Sequence, residues 1–317
     1  MHILILGASG MLGRKLTGAL IAGALPGIDH LTLADISTGP APDAPFPVSA
    51  TACNIADPGT AATLIRDRPD LIFHLAAIVS GEAEQDFDKG YSVNLDASRH
   101  LIEAIRAQPD YCPRVVFASS TAVFGAPFPD RIGDTFHLTP HTSYGTQKAI
   151  TELLLNDYSR RGFLDAVGLR FPTICIRPGT PNRAASGFYS NILREPLVGK
   201  PAILPVPDST RHWFASPRAA TSFMLRAAML DTAALGHWRM LNMPGLSATV
   251  ADQIEALRRV AGQKAVDLIR HEPDATIAAI VSGWPQNFDT ARATALGFTA
   301  ETSFDQIIAA HIADELT

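Results

Sequence analysis

Tyr144 and Lys148, in Ser143-Tyr144-Gly145-Thr146-Gln147-Lys148, are the residues whose types and spacing most directly suggest chemistry. Residues four apart share a helix face, so a helix starting here points the phenol and the ammonium the same way. A phenol titrating near ~10 is a poor base at neutral pH. A lysine cation beside it favours the phenolate and brings the group into range for moving the proton of an alcohol. The chain has only 5 tyrosines in 317 residues, and lysine is as scarce, so chance alone yields such a pair far less than once. A second participant is Ser120, in Phe117-Ala118-Ser119-Ser120-Thr121. A hydroxyl at the end of a strand can hydrogen-bond the oxygen whose proton Tyr144 moves, although serines there also serve as caps and turns.

A different chemistry is written near the start. Gly7-Ala8-Ser9-Gly10-Met11-Leu12-Gly13 links an apolar run at residues 2–6 to an amphipathic pattern at 12–24. Gly7 permits a tight turn, Gly10 lets the backbone approach a pyrophosphate, and Gly13 lets the helix pack on the strand. Ser9, Met11 and Leu12 occupy the turn and the first helical residues, where unpaired backbone N–H groups face an anion. Asp35 ends the second apolar run, about twenty residues on, where an acid accepts both ribose hydroxyls and repels a 2′-phosphate. Strand, loop, helix, strand and acid in this order predict NAD rather than NADP.

These groups need a frame that gathers strand ends and helix starts, and the apolar pattern supplies one. Short runs at residues 2–6, 30–34, 71–75, 114–118 and 166–169 alternate with helical patterns at 12–24, 58–66, 86–107 and 143–161. Such alternation predicts an α/β fold, a Rossmann-type doubly wound parallel sheet over residues 1–171. From residue 172 proline recurs and the elements shorten, which reads as a smaller, mainly substrate-binding lobe over 172–317, with segments near 217–260 returning to the first domain. Residues 37–48 read as a surface loop.

Composition narrows the function classes. Hydrophobic residues at 47% and charged residues at 18% supply a core and exclude a disordered chain. A net charge of −5, without a run of like charges, argues against nucleic acid and membrane surfaces as partners. Cys53, Cys112 and Cys175 are scattered and read as buried small side chains in a reducing compartment. The short apolar start is unlike a signal peptide, and no apolar stretch is long enough to cross a bilayer, so a cytoplasmic location is expected. His137 and His141 have a ligand-like spacing, but Pro140 breaks the helix that would align them, and no metal is expected.

Together these motifs resemble the extended short-chain dehydrogenase/reductase family, the NAD-dependent epimerases and dehydratases, over nearly the whole chain. The resemblance implies further roles. His74-Leu75-Ala76-Ala77 matches the segment lining the cofactor, with Leu75, Ala76 and Ala77 in contact; Asn54 and Ile55 match the pair flanking the adenine. Asn94 stands at the family's structural and proton-relay asparagine. Ser120, five residues before Gly125, holds the place of the catalytic Ser or Thr, with Ser119 beside the cofactor. Pro172 and Thr173 follow strand six where backbone contacts the nicotinamide carboxamide, and Lys148 also binds the nicotinamide ribose. The family commonly forms homodimers through two long helices, here near 86–107 and 143–161.

Departures from the family bear on substrate. Thr121-Ala122 replaces the acidic pair of dehydratases, and Arg211-His212-Trp213-Phe214-Ala215-Ser216-Pro217-Arg218 keeps an arginine but lacks the acids usual in nucleotide-sugar enzymes. The stretch from Pro172 to Leu197 resembles the branch that oxidises the C2 hydroxyl of a four-carbon sugar acid, such as D-erythronate, to the 2-keto acid. A guanidinium fork matches a carboxylate bidentately, which nominates Arg177, Arg183 and above all Arg211; Arg194 and Arg218 lie nearby in sequence. Ser80 and Asn191 are candidates for substrate hydroxyls. The rival readings are a nucleotide-sugar 4-epimerase with the same Tyr144, Lys148 and Ser120, and a non-catalytic NAD-sensing regulator, which the intact pair disfavours.

Overall fold

The computed structural model describes residues 1–179 and 185–316. In chain order the first elements are β1 (His2–Leu6), α1 (Met11–Ile21), β2 (His30–Asp35), β3 (Val48–Ala52), α2 (Thr60–Ile65) and β4 (Leu71–His74). They are followed by α3 (Ser80–Gln85), α4 (Phe87–Tyr91), a π turn (Ser92–Asp96), α5 (Ala97–Arg106), β5 (Arg114–Ser120), α6 (Ser143–Arg160) and β6 (Asp165–Phe171). A seven-stranded sheet has the order β10-β6-β5-β4-β1-β2-β3, where β10 is Met240–Asn242. The pairs β1–β2, β2–β3, β1–β4 and β4–β5 are all parallel. The order reverses direction between β1 and β4, so right-handed crossovers put helices on opposite faces and open a crevice at the strands' C-terminal ends.

The chain divides into two compact units. The first comprises Met1–Val123, His137–Arg170 and Thr221–Leu241. Its centre is β1, whose Ile3, Leu4, Ile5 and Leu6 are buried. A strand covered on both faces needs such an unbroken apolar run, and each of these side chains contributes about 1.5–3 kcal/mol on burial. The long helical pattern expected at 86–107 is in fact interrupted: α4 and α5 are joined by the π turn at Ser92–Asp96, which buries Asn94.

The second unit comprises Phe124–Phe136, Phe171–Ala220 and Asn242–Thr317. It contains β7 (Thr173–Ile174), α7 (Gly187–Leu197), β8 (Ala202–Leu204), β9 (Arg211–Ala215), β11 (Leu246–Thr249) and α9 (Val250–Ala261). Then come α10 (Gln263–Val266), β12 (Ile269–His271), α11 (Ala275–Ser282), α12 (Ala291–Ala295) and α13 (Phe304–His311). A three-stranded sheet, β11-β9-β7, packs with α7, α9 and α13 around Tyr189, Phe214, Leu257 and Ile307. The stretch that rejoins the first unit, Thr221–Leu241, is shorter than the expected 217–260. α8 (Pro217–Ala228) carries the chain back, whereas the Thr249–Asp252 capping box starts a new helix, α9, whose Ile254 and Leu257 belong to the second core.

Candidate active site

The glycine loop has the geometry its spacing implies. Gly7 takes φ +86°, and a Cβ there would sit 2.7 Å from the Ala76 backbone nitrogen, so the loop lies against the segment after β4. A Cβ on Gly13 would stand 2.3 Å from the Gly7 carbonyl oxygen; only glycine lets the first turn of α1 pack onto the loop. Gly10 precedes α1 with no side chain capping its first N–H groups, which leaves the positive end of the helix macrodipole open to an anion. Asp35 accepts hydrogen bonds from the N–H of Ser9 at 2.9 Å and of Ile36 at 2.7 Å, which fix its carboxylate beside the loop. A pyrophosphate at α1 and a ribose at Asp35 fit this cradle. Leu75, Ala76 and Ala77 line the end of β4, with Ala77 exposed. Asn54 is engaged locally, accepting from Ala56 N and donating to Asp57, while the Ile55 side chain joins the core.

The proton-handling groups converge at the end of β5 and the start of α6. Thr142 caps α6 by accepting from the Gly145 N–H at 3.0 Å. Gly145 itself was not singled out in the sequence, yet a Cβ there would lie 2.2 Å from the Ala122 carbonyl oxygen. That close approach brings the first turn of α6, with Tyr144, against the turn after Ser120. The Ala122 N–H donates to Ser120 Oγ at 3.1 Å, which orients the hydroxyl and leaves its proton available to donate. Lys148 is buried; its Nζ donates to the Ala118 carbonyl at 2.9 Å and lies 4.6 Å from the Phe117 ring centroid and 5.8 Å from that of Tyr144. Burial lowers its pKa to about 8, against the opposing pull of Glu152.

Behind these groups runs a polar network. Ser98 Oγ donates to the Asn94 carbonyl, so it accepts from His74 Nε2 at 2.8 Å, which fixes the neutral tautomer of that histidine. The Asn94 amide donates to the Ile78 carbonyl and to Gln147 Oε1, and its oxygen accepts from the Ile78 N–H. Asn94 thus ties the π turn to α6 and to the loop carrying Ala77. Ser119 is adjacent to Ser120 but faces away: its hydroxyl donates to Glu152 Oε1 at 2.5 Å, and its side chain is committed there. Glu152 also pairs with Arg170, both wholly buried. Sequence reasoning missed Gln147, Glu152, Ser98 and Gly145; the signals for Gln147 and Glu152 were polar residues on the buried face of the Tyr144 helix.

In the second unit, the candidates separate. The Arg177 guanidinium donates to the Ile174 carbonyl at 3.0 Å and to Ser186 Oγ at 3.2 Å, while its backbone N–H is held by Ser190. Arg194 holds the Asn191 side-chain oxygen, the Arg177 carbonyl and Glu195. Arg218 pairs with Asp314. Arg177 and Arg194 brace α7 and its flanks. Arg211 differs: it is exposed, and among the described residues its guanidinium makes one hydrogen bond, to the Ser247 carbonyl. Pro172 precedes β7, and Thr173 Oγ1 is bound to the ring of the buried His212 at 2.6 Å. Ser80, half-buried, opens α3 in the first unit. Arg183 lies outside the described residues. No group of three metal-ligating side chains occurs among the described residues.

A glycine cradle at the switch point of a parallel sheet, with a tyrosine, a lysine and a serine at the same strand ends, defines a dinucleotide-dependent oxidoreductase of Rossmann type. Residues 3–215 match the NAD dependent epimerase/dehydratase family, and the chain belongs to that family. It is 46% identical to D-erythronate dehydrogenase of Cupriavidus necator over 99% of this chain and 98% of that one. It is 42% identical to D-erythronate dehydrogenase of Haemophilus influenzae over 97% and 98%. A crystal structure described as a nucleoside-diphosphate-sugar epimerase from Agrobacterium tumefaciens superimposes with TM-score 0.95 at 60% identity, covering 100% of this chain and 94% of that one. No helix among the described residues is long and apolar enough to cross a membrane.

Proposed function

We propose that the protein oxidises the C2 hydroxyl of a small sugar acid, D-erythronate to 2-dehydro-D-erythronate. Near full-length identity with two D-erythronate dehydrogenases carries this reading, and the Tyr144, Lys148 and Ser120 arrangement supplies the chemistry. NAD, cradled by Gly7–Gly13 and Asp35, supplies the hydride acceptor. Ser120 donates a hydrogen bond to the reacting oxygen. Tyr144, as phenolate, takes the hydroxyl proton, and the Lys148 ammonium stabilises that phenolate. Arg211 is the proposed partner of the carboxylate, because its fork is exposed while Arg177 and Arg194 are committed to the backbone around α7. The proposed NAD-binding domain is residues 1–171, with the substrate-binding lobe mainly in 172–317.

The working form proposed is a cytoplasmic homodimer. Its support is two large apolar side chains left in solvent on the expected pairing helices, Phe87 on α4 at 58% and Leu153 on α6 at 54% exposure; free cysteines suit a reducing compartment. The test is NADH formation with four-carbon sugar acids of both C2 configurations, with NADP and a UDP-sugar as controls. Turnover confined to D-erythronate or a near relative is expected. Interconversion of the UDP-sugar with no net NADH, the activity named for the Agrobacterium structure, overturns the acid reading.

A further inference from the structure

Lys148 does its work with little help from its immediate neighbours. Around the buried ammonium stand a carbonyl, the face of Phe117 and the ring of Tyr144, and of these only Tyr144, as phenolate, would carry the negative charge that a buried cation needs. The titratable and charged groups that face it among the described residues are Tyr144 and Glu152 on α6, His74 at the end of β4 and, behind Glu152, Arg170 on β6. His74 is buried and neutral, held so by burial and by the nearby Lys148 charge. Glu152 is the group that favours the ammonium. It lies one helical turn beyond Lys148, on the same face.

Glu152 is placed with more care than a structural ion pair on a helix requires. Its Oε1 accepts from Ser119 Oγ at 2.5 Å and from Arg170 Nε at 2.9 Å, and its Oε2 from Arg170 Nη2 at 2.7 Å. The guanidinium carbon of Arg170 lies 5.6 Å from the ring centroid of Trp238. One carboxylate therefore joins α6, the end of β5 and β6. Ser119 sits between Ala118, whose carbonyl holds the Lys148 ammonium, and Ser120. We propose that Glu152 is a positioning residue for hydride transfer: through Ser119 it sets the end of β5 that presents Ala118 O and Ser120, and it supplies the buried negative charge facing Lys148. Arg170 holds the carboxylate in that orientation. The inference rests on the roles given to Tyr144, Lys148 and Ser120 above.

With only a handful of lysines in the chain, 13Cε-labelled lysine gives a resolvable NMR titration of Lys148 in the cofactor-free protein, assigned with Lys148→Met. In Glu152→Gln its midpoint should drop by about one pH unit or more. NADH formation from D-erythronate should fall about 10- to 100-fold in kcat at neutral pH, with KM for NAD changed less than about threefold. The alkaline limb of the pH profile should move down, and Glu152→Asp should restore part of both effects. Because Glu152→Gln takes the carboxylate away from the buried Arg170, Glu152→Gln/Arg170→Met and Ser119→Ala are measured beside it. The double variant should keep the lowered midpoint; Ser119→Ala should lower kcat while the midpoint moves little. An unchanged Lys148 midpoint in the folded Glu152 variants, or a loss of activity that tracks thermal stability alone, overturns the proposal. A shifted midpoint in a protein that never oxidises D-erythronate leaves the Glu152 inference standing and removes the substrate reading.

Discussion

In the first unit the groups around Tyr144 are locked from several directions. Ser120 Oγ is held by the Ala122 N–H, Lys148 by the Ala118 carbonyl, and Asn94 by both polar groups of Ile78. In the second unit charged side chains are used to hold the chain in place. Arg177 and Arg194 stitch the segment after β7 to α7, whereas Arg211 keeps an exposed fork with one bond, to the backbone, among the described residues. The contrast separates two uses of charge. A group that moves a proton has to be oriented before substrate arrives, because orientation lowers the barrier only if it is already in place. A group that captures an anion needs free donors, and an arginine already bonded to carbonyls offers few.

The sharpest way to break this comparison is Tyr144→Phe. Removing the hydroxyl from the locked site should cut kcat by at least about 10³-fold while NAD affinity, read by fluorescence titration, stays within a few-fold. Substantial residual turnover would place the proton transfer elsewhere.

Next in size is the contrast among arginines. Arg211→Ala should raise KM for the acid about 10- to 100-fold, the loss of one charge-assisted pair, with thermal stability nearly unchanged. Arg177→Ala should do the reverse: it should lower stability by about 1–2 kcal/mol, from bonds lost to the Ile174 carbonyl and Ser186, and leave KM close to its starting value. An exchange of these phenotypes between the two variants would show that exposure is the wrong guide to the carboxylate's partner.

A smaller effect tests the fixed carboxylate at the cradle. Asp35→Ser removes the charge that repels a 2′-phosphate, so the ratio of kcat/KM for NADP to that for NAD should rise about tenfold. The Ser9 N–H loses its acceptor in that variant, so some affinity for NAD itself should go with it. An unchanged ratio would assign cofactor choice to other residues.

What the sequence made legible follows the same division. Gly7 and Gly13 were readable because each answers a backbone demand that no other residue meets, as the distances at both show, whereas Gly10, at φ −66°, answers no such demand within the chain. Tyr144 and Lys148 were readable because helical spacing alone puts them on one face. β3 was not: Val48–Ala52 is a half-exposed edge strand of small residues without an apolar run. Nor was the π turn, since a five-residue bulge inside two helices leaves their periodicity almost intact. Gly145 looks like any helical glycine until the Ala122 carbonyl is seen beside it. Among the arginines, a bracing residue and a free one share the same chemistry in the sequence. Only the positions of the Ile174 and Arg177 carbonyls distinguish them.

Each unit also holds a buried histidine whose pKa is strongly depressed, His74 in the first and His212 in the second. His74 is bonded to Ser98 and lies near Lys148; burial, reinforced by that lysine, depresses its pKa to about 3. His212 is bonded to Thr173 and stacked on Tyr189 at 5.4 Å, and burial lowers its pKa to about 3 as well. In the unfolded chain both titrate near ~6.5. Between these values the unfolded state binds protons that the native state refuses, so stability falls as the pH drops below about 6 and goes on falling toward 3. Each histidine contributes a slope of about 1.4 kcal/mol per pH unit. Urea unfolding at a series of pH values from 7 to 4 should show that slope, and His74→Gln or His212→Gln should each flatten it by one histidine's share. The two should differ in activity at pH 7: His74→Gln disturbs the network that ends at Gln147, beside Lys148, whereas His212→Gln disturbs Thr173 and the aromatic packing of the second unit around Tyr189. A stability slope untouched by either substitution would mean that one or both histidines take up protons in the folded protein, and that the polar network behind Lys148 is open to water.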